Sequence, residues 1–227
     1  MASLIKQSMN PIALAVTSLK DPQALALVNH TLKQSNAKLV LSSLGFASNK
    51  VDAPSLCSAP TQFNLPIEGD LPVLQLVLSS TTNDAWREHQ QGLRSRDIAM
   101  QVVLPEMDGH VLTRAISFKS MGYYSKLCQI DLVGYQLEPE RAEFVARLAK
   151  SYCSLGHKAN HDKRIALILA NYPTKDGRIG NGVGLDTPQS AINVLQAMQD
   201  AGYAVDKVPE NGNDLITPHP EFDFPGL

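Results

Sequence analysis

The chain has 227 residues, 44% of them hydrophobic and 19% charged, which is enough apolar material for one large domain or a domain and part of another and excludes general disorder. A formal net charge of -2 gives no electrostatic reason to expect nucleic acid as a partner. Three cysteines, Cys57, Cys128 and Cys153, form no C-x-x-C pair, so neither a disulfide framework nor a thiolate zinc site is indicated, and buried thiols in a reducing compartment are expected. The first apolar run, residues 11–16, is too short for a membrane span, so the expected location is cytoplasmic, with no membrane partner.

That run reads as a first strand. Asp21 and Pro22 supply an N-cap and a first-turn proline to a helix with Ala24, Leu25, Val28 and Leu32 on one face. Residues 37–44 return as a strand, and the three elements make a βαβ unit of a parallel sheet. Residues 47–70 are polar, contain proline and lack periodicity, which predicts a surface excursion. The next buried strand is expected at 71–78. Asn83 or Asp84 is placed to cap the segment that holds Trp86, and Gly92 to end it. Residues 98–104 are again apolar and of strand length. Further strands are expected at 111–118 and 128–135. Pro139 then opens a helix with Val145, Leu148, Ala149, Tyr152 and Leu155 on one face, closed by Gly156.

The polar run 157–162 separates an α/β domain, residues 1–160, from the start of a second α/β unit at 161–227. The second unit opens with an apolar run at 165–170, read as a buried strand. A loop with Gly177, Gly180, Gly182 and Gly184 follows, and then a helix with Thr187 at its N-cap, Pro188 in its first turn and Gly202 at its end. Strand, glycine-rich loop and helix N-terminus in succession make an anion site, but the glycine spacing is that of neither a dinucleotide fingerprint nor a P-loop. A loop whose glycines only serve its turns fits the residues as well as a ligand loop does. The expected fold class is therefore α/β, a mainly parallel sheet with flanking helices.

Two segments carry a resemblance to a known family. NYPTKDGRIGNGVGLDTPQSAINVLQAMQDAGY, residues 171–203, closely resembles a segment of the large subunit of ATP-dependent cobaltochelatase, and more distantly the large subunit of magnesium chelatase. GLRSRDIAMQVVLPEMDGHVLTRAISFK, residues 92–119, is similar to a second segment, and its LPEMDG core resembles a motif shared by both families. The resemblance is firmest over about residues 71–216 and concerns only an internal portion of much longer subunits. It implies insertion of Co²⁺, as substrate, into a corrin precursor, hydrogenobyrinic acid a,c-diamide, in oxygen-dependent cobalamin synthesis. ATP would be hydrolysed by AAA+ partner subunits, since this chain has no Walker A sequence. The remainder of the large subunit would be a further partner, and the isolated piece is expected to be inactive. The alternatives are a magnesium chelatase segment, which would insert Mg²⁺ into protoporphyrin IX, and a non-catalytic α/β module that binds a tetrapyrrole or a protein.

Metal insertion needs a base for the pyrrolic N–H protons and oxygen or imidazole ligands for the incoming ion. Glu106, Asp108 and His110 are of the right types, and a carboxylate at the Glu106 position is implied by the resemblance to line the active cavity. The expected roles are Glu106 and Asp108 in catalysis, with Glu106 and His110 on the metal. All three would lie just beyond the carboxyl end of the strand at 98–104, where open α/β sheets hold ligands. From the residues alone, Asp108-Gly109 also fits a hairpin turn and Glu106 a solvated charge. Arg114 and Lys119 suit the carboxylates of a corrin precursor, or are surface cations on an edge strand. Lys175, Asn181 and Asp186 are the corresponding candidates in the second unit. His157 and His161 have helical i, i+4 spacing but follow Gly156, and are not taken as ligands.

Overall fold

A computed structural model describes residues 1–45, 67–69, 71–169 and 184–216. The chain divides into two compact units, Met1–Ser154 and Leu155–Leu227.

The first unit is built on a four-stranded sheet of order β1-β2-β3-β4: β1 Val40–Ser42, β2 Val73–Thr82, β3 Val111–Ser125 and β4 Ile130–Leu137. β1 with β2 and β2 with β3 are parallel, and β3 with β4 is antiparallel. The α/β, mainly parallel architecture is therefore as expected. Helices α1 Ala2–Lys6 and α2 Pro22–Ser35 precede the sheet, α3 Asn83–Glu88, α4 Ser95–Ile98 and α5 Leu104–Met107 connect β2 to β3, and α6 Pro139–His157 follows β4. α2 starts as its sequence dictates, with the Asp21 carboxylate accepting from Gln23 N–H at 3.0 Å and Pro22 in the first turn. One apolar cluster joins Leu19, Val28, Ile67 and Val73. A second joins Val77, Ala115 and Phe118, with Trp86 packed on it at 5.3 Å from the Phe118 ring. α6 contributes the buried face Val145, Ala146 and Ala149.

Several expected elements differ. Residues 11–16 form no strand: they are mostly exposed and belong to no ladder, so the βαβ unit expected at 11–44 is absent. A six-residue apolar run fits a connector as well as a strand, and only a neighbour with open backbone groups makes the difference. Residues 98–104 are helical, not extended: α4 and α5 are joined by a π-helical turn, Ala99–Val103, in which Leu104 N–H bonds back to Ala99 C=O. Pro105 can donate no N–H and would crowd the carbonyl four residues back, and the widened turn accommodates it. The cap of α3 is the hydroxyl of Thr82, not Asn83 or Asp84, and the helix ends at Glu88, ahead of Gly92. Cys128 is exposed rather than buried, because it lies in the β3–β4 turn, and neither it nor Cys153 is disulfide-bonded.

The second unit contains a 3₁₀ turn, Asn160–Asp162, and helices α7 Thr187–Asp200 and α8 Gly212–Ile216. The expected strand at 165–170 is not seen. Residues 165–169 have no ladder partner among the described residues, and residue 170 lies outside them. The N-cap of α7 is Asp186, one residue before the expected Thr187, because its carboxylate accepts from Gln189 N–H at 3.0 Å. Gly202 ends the helix as expected. Its φ of +82° lets its N–H and that of Tyr203 reach the C=O groups of Gln199 and Met198. Ala191 and Ile192 are the buried residues of α7, while Val194, expected on the apolar face, is exposed. Among the described residues no helix is long and apolar enough to cross a membrane.

Candidate functional site

The LPEMDG motif is a helix end. Gly109 N–H bonds to Glu106 C=O at 2.9 Å and His110 N–H to Pro105 C=O at 3.1 Å, the paired bonds of a Schellman stop. Gly109 has φ +78°, the left-handed conformation this stop requires at that position. Asp108-Gly109 is thus not a hairpin turn. His110 immediately precedes β3, whose first residue, Val111, pairs with Leu74 near the start of β2. The motif therefore sits at the amino end of β3, and the expectation that it lies beyond the carboxyl end of a strand is corrected. The misplacement follows from reading residues 98–104 as extended.

The stop separates three functional groups by exposure. Glu106 is exposed, whereas Asp108 and His110 are buried. In the same stretch of chain the apolar side chains of Val103, Met107, Val111 and Leu112 are also exposed. His110 is oriented by Gln75. The Gln75 amide N–H₂ donates to Leu44 C=O at 2.9 Å, which turns its oxygen toward His110 Nδ1 at 3.0 Å. The Nδ1 proton fits that acceptor, leaving the imidazole lone pair on Nε2. Burial lowers the His110 pKa from the ordinary imidazole value, and the nearby Asp108 carboxylate partly opposes the shift. The ring is thus held as a neutral base. Thr113 donates from its hydroxyl to Gln75 C=O at 2.6 Å, tying the glutamine backbone to β3. No group of three His, Cys, Asp or Glu side chains placed to hold a metal occurs among the described residues, so Glu106, Asp108 and His110 do not form one.

The other candidates are dispersed. The Arg114 guanidinium lies 3.4 Å above the centre of the Phe144 ring, linking β3 to α6. At Arg114 β3 is paired with β2 only, since among the described residues its pairing with β4 begins at Ser117, and the side chain is half-buried. Lys119 is half-buried on β3, in register with Thr82 and Tyr135. The Asp186 carboxylate is engaged in capping α7. Lys175 and Asn181 lie outside the described residues, as does most of the glycine loop.

Two side chains not singled out from the sequence hold the motif helix in place. On β2, Val40 N–H bonds to Pro72 C=O, and the even-numbered residues further along face the same side, past the end of the short β1. There the Gln101 amide accepts from Leu78 N–H and donates to Leu78 C=O, both at 2.7 Å. The buried Asp97 carboxylate accepts from Ser80 N–H at 2.7 Å and from the Ser80 hydroxyl at 2.8 Å. Their i, i+4 spacing was the available signal, since it puts both polar groups on one side of a helix and breaks the apolar run where a strand would not. Gln75, a lone polar residue in an apolar strand, carried a similar signal.

A family described as CobN/Magnesium Chelatase matches residues 1–218. The aerobic cobaltochelatase subunit CobN of Pseudomonas aeruginosa is 46% identical over 213 residues, covering 94% of this chain and 16% of that subunit. A magnesium-chelatase subunit of Chlorobaculum parvum is 26% identical over 133 residues, 59% of this chain and 9% of that one. The solved catalytic subunit of cobaltochelatase from Mycobacterium tuberculosis superposes with a TM-score of 0.70 at 29% identity, covering 95% of this chain and 18% of that one. The chain thus spans about one sixth of the length of the cobaltochelatase subunits it matches. With nearly its whole length matched by the family and a solved relative sharing its fold, this chain belongs to the CobN/magnesium chelatase family.

Proposed function

We propose that this chain supplies one segment of a cobaltochelatase large subunit, which inserts Co²⁺ into a corrin precursor, hydrogenobyrinic acid a,c-diamide, in aerobic cobalamin synthesis. The observation that carries this reading is the 46% identity to a cobaltochelatase subunit across 94% of the chain, against 25% across 91% for a magnesium chelatase subunit. Co²⁺ is substrate here. ATP is hydrolysed by AAA+ partner subunits, and the work is cytoplasmic.

In this reading Glu106 is the base that takes the pyrrolic N–H protons as the ion enters. Its exposure puts it where a macrocycle held against Val103 and Met107 can reach it. His110, with its lone pair on Nε2, replaces a water on the incoming ion, and a nitrogen ligand suits cobalt better than magnesium, which prefers oxygen. Asp108 favours the charged form of His110 and so keeps the ring basic. Lys119 and, in the second unit, Lys175 and Asn181 meet substrate carboxylates. Arg114 steadies β3 through Phe144, and within the second unit Asp186 caps α7.

The test is a chimera in which this chain replaces the matching segment of the Pseudomonas aeruginosa subunit, assembled with its AAA+ partners and assayed for both metals. Cobalt insertion into the corrin precursor, without magnesium insertion into protoporphyrin IX, is the expected result. Magnesium insertion would move the chain to the other branch of the family. A chimera that binds tetrapyrrole and metallates nothing would make it a binding module.

A further inference from the structure

β3 and β4 continue well past the body of the sheet. β2 pairs with β3 only as far as Lys119, whereas β3 and β4 pair to Ser125 and Ile130. The result is a two-stranded arm with, among the described residues, two open edges, one along β3 after Lys119 and one along the whole of β4. A two-stranded ribbon is at best marginally stable in water, and open strand edges are templates for further pairing.

The arm's side chains are those of an interior. Its register puts Met121, Tyr124, Val133, Tyr135 and Leu137 on one face, every one at least half exposed. Leu127, in the turn, is 94% exposed. Every residue of β4 is exposed. Lys126 and Asp131 are the only charged residues between Met121 and Leu137. Apolar, aromatic-rich and nearly uncharged surface of this extent marks a permanent interface; a partner that docks and leaves meets a more polar one. The matched relatives have most of their length outside the segment that this chain covers.

We propose that the β3–β4 arm is an intramolecular docking element, permanently packed against polypeptide of the same large subunit that lies outside this sequence. Its aromatic face is buried there and its open β4 edge is covered or extended by another strand. The inference rests on the reading of the chain as a segment of a large subunit. It does not depend on which metal that subunit inserts.

Hydrogen exchange across residues 120–137 tests it in three samples: the 227-residue chain alone, the chimeric large subunit, and the chimera with its AAA+ partners. Arm amides are expected to exchange about 100-fold more slowly in the chimera than in the chain alone, with no further slowing when the partners are added. Equal exchange in chain and chimera would overturn the proposal. So would protection that appears only with the AAA+ subunits, which would make the arm their dock, or protection in the chain alone that rises with concentration, which would make it a self-association surface. Val133→Lys is a second probe. It should lower the melting temperature of the chimera and leave that of the chain alone unchanged. A chimera that protects the arm but inserts no cobalt would leave this inference standing and remove the metallation reading.

Discussion

Two open flanks of one sheet are finished in opposite ways. Where β1 ends, the exposed backbone of β2 is taken up by side chains from a helix: Gln101 pairs with both polar groups of Leu78, and Asp97 accepts two bonds from Ser80. At the other flank every residue of β4 is exposed, and its outer edge has no strand partner among the described residues. The first flank is self-sufficient, because each polar group named there has its partner within the unit. The second buries almost nothing. A flank closed by its own side chains serves to hold something still, here the helix that carries Glu106, while an apolar flank left open calls for an external partner.

The largest effect should come from the closed flank. Asp97→Ala leaves two donors of Ser80 without an acceptor in a part-buried place and should cost about 3 kcal/mol; Gln101→Ala, which strands both groups of Leu78, about 2 kcal/mol. Val133→Ser on the open flank should change the stability of the chain alone by less than about 0.5 kcal/mol. Urea unfolding of the three variants checks the contrast, and comparable losses at both flanks would break it.

The closed flank was the less legible of the two in the sequence. The strands at 71–78, 111–118 and 128–135 could be read because β-branched and apolar residues cluster between turn residues, and α2, α6 and α7 because caps and 3.6-residue spacing agree. Residues 98–104 could not be separated from a strand by length or hydrophobicity. The arbiter was tertiary: Asp97 and Gln101 find the backbone of β2 only if the segment is helical. Residues 11–16 show the converse, an apolar run that meets no ladder. For the site, the chemical types Glu106, Asp108 and His110 were readable and their geometry was not. The stop at Gly109 that exposes the first and buries the other two depends on where the helix ends, and Gln75 reaches His110 from a strand 35 residues away.

A smaller effect concerns that buried histidine. Burial lowers the His110 pKa in the folded state, so below about pH 6.5 the unfolded chain takes up a proton that the folded chain resists. The stability contribution is present in full above that pH and is lost as pH falls through the lowered folded value. Urea midpoints of the metal-free chain at pH 7.5 and 5.5 should show this fall, and His110→Gln should reduce it. A fall of undiminished size in the variant would assign the pH dependence to other groups.

The most direct test of the account is Glu106→Gln in the cobalt-inserting chimera, with corrin affinity and initial metallation rate measured side by side. Glutamine keeps the shape and hydrogen-bonding reach of the side chain and removes the base. A corrin Kd within about twofold of the parent and a metallation rate lowered by roughly 100-fold are expected. Metallation at the parental rate would contradict that expectation and leave the LPEMDG turn as a helix stop without a chemical role.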